Sequence, residues 1–177
     1  MNFTLIVGLG NPGTEFEDTY HNVGVRGLHA VVQHLEKRGE TVHFKRHGDL
    51  FEYAKTGGVI LVRPLVFMNE SGRAVQSALH AFSILPEKLF VMHDDTDLLV
   101  GDYKITTGQN SAGHHGIDSI IEVLGGNDFT RARIGIRAAD EPRRKKAGEF
   151  VLAPVSAEDK KIFEKIFAEI TERLGMS

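Results

Sequence analysis

Five short polar segments of the chain have the residue types and spacing for chemistry: Asn11, His21-Asn22, Met68-Asn69, His93-Asp94-Asp95-Thr96-Asp97 and Gly113-His114-His115-Gly116. Each follows a predicted strand or sits in a loop between predicted elements. His21 is the best general base among them, because an imidazole with an ordinary pKa of about 6.5 can take a proton from water near neutrality. Asp94, directly after an apolar strand, is its natural partner. A carboxylate on the second ring nitrogen fixes the tautomer and stabilises the imidazolium. Asn11 and Asn69 cannot act as bases, but their amides can hold a peptide carbonyl and N–H or donate to a developing oxyanion. One base, one orienting acid and several amides suggest a water-attacking esterase or amidase. Taken singly, a loop His or Asn is more often a turn or cap residue, and His21-Asn22 also reads as the cap of the helix that follows. Their concentration at one end of a sheet gives the chemical reading its weight.

Other chemistries compete for the same residues. Gly8-Leu9-Gly10-Asn11-Pro12-Gly13 matches the G-x-G-x-x-G dinucleotide fingerprint letter for letter. That fingerprint needs a helix to begin inside the glycines. Here Pro12 turns Asn11 away from helical backbone, and Glu15, Glu17 and Asp18 would repel a phosphate. His93, Asp94, Asp95, Asp97, His114 and His115 have the atoms for a metal site, yet no H-E-x-x-H or comparable spacing is present. G-x-S-x-G is absent as well, and Ser71 sits where a helix cap is expected. Strand alternation puts Arg131, Arg133 and Arg137 on one face and Ala132, Ile134 and Ile136 on the other. An arginine stripe suits phosphate, although a solvated strand face explains it equally well. Arg143-Arg144-Lys145-Lys146 reads as a loop that could touch RNA backbone.

The elements that must position these groups follow from composition and period. A chain of 177 residues, 41% hydrophobic and 25% charged, suits one globular domain over residues 1–177. No run approaches the roughly 20 apolar residues of a membrane span, and Met1-Asn2-Phe3 lacks the basic start of a signal peptide. With no Cys there is no disulfide, thiol nucleophile or Cys-bound zinc, which fits a cytoplasmic protein. Net charge −3 and pI ≈ 6.3 argue against indiscriminate coating of nucleic acid but leave room for a local basic stripe. Strands are expected at Phe3–Val7, Val42–His47, Leu50–Lys55, Val59–Arg63, Leu89–His93, Asp102–Thr106 and Arg131–Ile136. Between them, Val25, Leu28, Val32 and Leu35, then Val75, Leu79 and Phe82, then Ile117, Ile120, Ile121 and Leu124 recur at helical spacing. A last helix starts at Ser156. The expected fold is α/β: a mixed, twisted β-sheet sandwiched by helices, with its crevice beyond the C-terminal strand ends.

Five ordered motifs now point to one family. Gly8-Leu9-Gly10-Asn11-Pro12-Gly13, Thr19-Tyr20-His21-Asn22-x-Gly24, Phe67-Met68-Asn69-x-Ser71-Gly72, His93-Asp94-x-x-Asp97-Leu98 and Arg133-Ile134-Gly135-Ile136 resemble bacterial peptidyl-tRNA hydrolase in order and spacing. Phe150-Val151-Leu152 before the last helix agrees, so the resemblance covers nearly the whole chain. It implies a monomeric, cytoplasmic α/β enzyme that cleaves the ester between a peptide and the 3′ ribose of tRNA, recycling tRNA from aborted translation. It implies no metal and no organic cofactor. His21 would activate water and Asp94 would orient it. Asn11, Tyr20, Met68, Asn69 and His115 would meet substrate, while Lys104, Arg131 and Arg133 would meet tRNA, with Arg133 on the 5′ phosphate.

Three departures from the family pattern carry their own expectations. His115 stands where an asparagine is usual, which brings a titratable group to the cleft. Thr106 stands where a lysine would join Arg133, with Lys104 two residues away on the same strand face. The chain stops at Ser177, where many relatives continue, so cover of the acceptor arm would be smaller. These features keep open an RNA-binding relative with weakened catalysis on the same scaffold. A metal-dependent peptidase or amidase is the other alternative.

Overall fold

A computed structural model describes residues 3–56, 58–139 and 150–175. Its centre is a seven-stranded sheet in the order β2-β3-β4-β1-β5-β7-β6. The strands are β1 (Leu5–Gly8), β2 (Lys45–His47), β3 (Phe51–Thr56), β4 (Val59–Pro64), β5 (Leu89–Leu99), β6 (Tyr103–Thr107) and β7 (Thr130–Arg137). Pairs β1/β4, β1/β5 and β5/β7 are parallel. Pairs β2/β3, β3/β4 and β6/β7 are antiparallel. The expected mixed α/β sheet is therefore present, with antiparallel edges on both sides of a parallel centre.

The strand period divides the core in two. Leu5, Val7, Leu89 and Val91 face one side of the sheet, where they pack with α2 (Ser71–Phe82) and α3 (His115–Leu124). Ile6, Phe90, Met92, Ala132, Ile134 and Ile136 face the other, under α1 (Val23–Lys37) and α4 (Ala157–Arg173). Alternate side chains of one strand thus serve opposite cores, as the two-residue period requires. Helix α4 begins as expected: Ser156 accepts the Asp159 N–H at 3.0 Å, and Phe163, Ile166, Phe167 and Ile170 form its buried stripe.

Most strand ends fall within two residues of the sequence expectation, and two strands depart by more. Strand β2 is only Lys45–His47 and fully exposed, because Val42 and Phe44 pack against the core outside any strand ladder. Strand β5 runs on to Leu99 instead of ending at His93. Its partner β7 continues alongside, pairing Asp94 with Ile134 and Asp95 with Gly135 before an irregularity ahead of Leu99. The acids therefore lie within a paired strand and not in a loop after it.

Candidate active site

The glycine-rich segment after β1 makes close backbone contacts and carries no helix N-terminus. Gly13 has φ +109°, and only two single turns, Thr14–Phe16 and Tyr20–Asn22, follow before α1. Helix α1 does not begin until Val23. A Cβ on Gly8 would lie 2.5 Å from the Gly24 carbonyl oxygen, and one on Gly24 would lie 2.2 Å from that of Met92. These glycines let α1 settle onto β1 and β5. The N-terminal amides that would grip a pyrophosphate are not there, so the dinucleotide reading fails.

This close approach aligns the loop with the turn that carries His21. Asn22 clamps the Asn11 backbone on both sides: its Oδ1 accepts the Asn11 N–H at 2.8 Å, and its Nδ2 donates to the Asn11 carbonyl at 3.0 Å. A Cβ on Gly10 would collide with the Asn22 amide, so the clamp also requires glycine there. The Asn11 side-chain oxygen accepts the Met68 N–H at 2.8 Å. With that oxygen occupied, the Asn11 amide nitrogen is the end open to a substrate acceptor. From the other direction, the His21 N–H donates to the Val151 carbonyl at 2.8 Å, and the Tyr20 N–H to the Ala153 carbonyl at 3.2 Å.

Asp94 is the hub. Its Oδ1 lies 2.9 Å from His21 Nδ1 and 2.9 Å from His114 Nε2. His114 caps α3, with its Nδ1 accepting the Ile117 N–H at 3.2 Å. That bond fixes the tautomer: Nδ1 holds the lone pair and Nε2–H donates to Asp94. His21 is arranged the other way round. Its Nδ1–H donates to Asp94, which leaves Nε2 to carry the lone pair. Burial alone would raise the Asp94 carboxyl. The His114 and His21 rings, through their fields and hydrogen bonds, outweigh burial and hold it well below the usual carboxylate range. Asp94 is accordingly an ionised acceptor held between two imidazoles, of which His21 keeps slightly more surface, 11% against 8% for His114.

His93 lies behind this cluster. It is fully enclosed, donates from Nδ1 to the Asp94 backbone carbonyl at 2.7 Å, and packs edge-on against His114 with ring centroids 4.6 Å apart. Its Nε2 is buried without a hydrogen-bond partner. Burial, and then the neighbouring His114, push its pKa well below the ordinary histidine value, so it is neutral. Among the described residues, His21, Asp94 and His114 are the group whose ligand atoms converge enough to hold a metal ion. Both imidazoles instead hydrogen-bond the Asp94 oxygen directly, each at 2.9 Å. A metal would have to displace both ring protons from Asp94.

The other expected site residues fall into distinct settings. Met68 is buried beside the Asn11 oxygen, and Asn69 is exposed next to it. Tyr20 faces inward and away from the cleft. Its ring stacks on Phe150 at 5.2 Å, meets Phe163 edge-on, and its hydroxyl bonds to Asp159. The apolar surface of those two rings draws it into the core, where it ties the His21 turn to α4. His115 is exposed at the first position of α3, and His114 occupies the cluster beside it.

The basic stripe is divided in the same way. Arg131 is fully buried, and its Nη2 donates to the backbone carbonyls of Gln109 and Asn110 at 2.7 and 3.0 Å. It anchors that loop from beneath and presents no surface to tRNA. Arg133 and Lys104 stay open on the same sheet face, directly opposite each other across β6 and β7. Arg143-Arg144-Lys145-Lys146 lie outside the described residues.

Sequence reasoning underrates three residues. The capping role of Asn22 is seen as local, whereas its amide spans 11 residues to hold Asn11. His114 figures only as one of several clustered ligands; its place before a helix with an open N–H at Ile117 was the available signal. Asp95 pairs with Arg133, 38 residues away, and only the parallel register of β5 and β7 brings them together.

Comparison with known proteins agrees with this geometry. The family described as peptidyl-tRNA hydrolase matches residues 5–177. The chain is 38% identical over 169 residues to the peptidyl-tRNA hydrolase of Aquifex aeolicus, covering 94% of this chain and 85% of that one. It is 39% identical over 170 residues to that of Metamycoplasma arthritidis, covering 96% and 88%. The crystal structure of peptidyl-tRNA hydrolase from Acinetobacter baumannii superposes with a TM-score of 0.84 at 28% identity, covering 99% of this chain and 88% of that one.

Proposed function

The chain belongs to the peptidyl-tRNA hydrolase family, and we propose that its hydrolysis of peptidyl-tRNA is run by His21 as the general base, with Asp94 and His114 holding that base in place. The observation that carries this reading is the Asp94 oxygen shared at 2.9 Å by two imidazoles. His21 Nε2 takes a proton from water as the water attacks the ester carbonyl. The resulting imidazolium is stabilised by the ionised Asp94. As the tetrahedral intermediate collapses, His21–H returns the proton to the 3′ oxygen of the ribose, and peptide and tRNA part. The Asn11 amide nitrogen, aimed by the Met68 N–H, donates to the peptide or to the developing oxyanion. Asn69 offers a second amide beside it.

The same reading gives tRNA to the open face of β6 and β7, where Arg133 and Lys104 would meet phosphate. Monomeric state and cytoplasmic location belong to the proposal as well. Among the described residues no helix is long and apolar enough to cross a membrane.

His21→Ala tests the assignment. Positioned proton transfer is typically worth about 10²–10⁴-fold, so peptidyl-tRNA turnover should fall by that much while melting temperature and tRNA binding stay near wild type. Turnover within a few-fold of wild type would end the assignment of His21 as the base.

A further inference from the structure

Arg133 does not stand alone. Its Nε donates to Asp95 Oδ2 at 2.6 Å, and its Nη1 points to Gln109 Oε1 at 3.3 Å. Asp95 has little freedom to leave. It is buried within β5, and its other oxygen accepts the Asp97 N–H at 2.8 Å. The carboxylate is thus fixed beside the guanidinium, whereas the Arg133 side chain keeps 15% of its surface and Lys104 opposite is exposed. A surface built only to hold an anion as tightly as possible would have no acid there. The Nε edge of Arg133, one half of a bidentate phosphate fork, is already spent on Asp95.

We propose that Asp95 is a built-in counter-ion that weakens the grip of Arg133 and Lys104 on RNA phosphate, so that the tRNA product can leave. This rests on the reading of the Arg133 face as the tRNA contact. The reason lies in the reaction itself. Hydrolysis cuts only the ester, so the tRNA product keeps every phosphate that the substrate offered to this face. Contacts equal in substrate, transition state and product lower KM without speeding chemistry. Past a point they only slow release. A fixed negative charge at the root of the guanidinium tempers such contacts, while the Asp95 hydrogen bond keeps the Nη end pointing outward beside Gln109.

The experiment is inhibition of peptidyl-tRNA turnover by deacylated tRNA at several salt concentrations, for the full chain and for Asp95→Asn, Arg133→Ala and the double variant. Arg133→Ala should raise KM and the inhibition constant together. Asp95→Asn should lower both by roughly three- to tenfold and steepen the salt dependence by about one phosphate contact. The Asp95→Asn effect should vanish in the Arg133→Ala background. Asp95→Ser, which keeps an acceptor for the Asp97 N–H, replaces Asp95→Asn if the latter lowers the melting temperature. A purely structural Asp95 would shift melting temperature and leave the salt slope alone. If Arg133→Ala weakens binding but neither Asp95 variant tightens it, the counter-ion proposal is wrong. If Arg133→Ala changes nothing, the tRNA-face reading itself is wrong.

Discussion

Asp94 and Asp95 are consecutive residues of one strand, and they face opposite sides of the sheet with opposite tasks. Asp94 accepts two imidazole N–H groups on one oxygen, from His21 in the turn before α1 and from His114 at the cap of α3. Asp95 looks toward the α3 side and accepts a guanidinium. The first pairs with groups that can gain and lose a proton, so its charge is useful only if the proton moves. The second pairs with a cation that never deprotonates, so its charge only sets how strongly that cation attracts others. One residue type thus gives chemistry on one face and affinity control on the other. The two-residue period of a strand is enough to keep them apart.

Asp94→Asn should make this contrast largest. An amide in place of the carboxylate can accept from one ring but cannot stabilise the imidazolium, and it offers a donor able to reverse the His21 tautomer. We expect kcat to fall by about 10²-fold, less than on loss of His21, with KM for peptidyl-tRNA changed little. Asp95→Asn should do the reverse, moving KM and product inhibition while sparing kcat. Steady-state kinetics on the two variants side by side separates the faces. Equal loss of kcat in both would erase the distinction.

A smaller effect concerns stability. His93 is buried and neutral, with His114, Asp94 and Arg131 as its charged or titratable neighbours. Its folded pKa lies below the unfolded value of about 6.5, so the unfolded chain binds the extra proton first. Stability from this group is complete above about pH 6.5 and declines as pH falls below it, by up to about 1.4 kcal/mol per pH unit. The Asp94 contribution has its own window. Its folded pKa is depressed, so it is retained above the unfolded carboxylate value and lost only at lower pH. Thermal melts between pH 7 and 5 should therefore show an acid-side decline that His93→Gln flattens. Parallel declines in both proteins would remove His93 as the cause.

Much of this arrangement is legible in the sequence because it is local. The apolar run before Gly8, Pro12 inside the glycines and the helical spacing after His21 each constrain their own neighbourhood. The pairing of His21 with Asp94 follows from residue types: a base just ahead of a helical pattern and a carboxylate directly after an apolar run. What the sequence hides depends on long-range register. Tyr20 reads as a cleft residue until Phe150, Phe163 and Asp159 are brought against it. Arg131 reads as surface until the 109–110 backbone closes over it. In the sequence His115 is the expected cleft residue, and only the capping of α3 by His114 shows that this neighbour turns toward Asp94.

Two histidines share one carboxylate oxygen in opposite tautomers, leaving His21 Nε2 as the base. Imidazole ¹⁵N NMR of the full chain, with both rings neutral, tests this. His21 should show a protonated Nδ1 and a bare Nε2, and His114 a bare Nδ1 and a protonated Nε2. A neutral His21 ring protonated on Nε2 would have no lone pair there to offer water, and His21 could not then be the base.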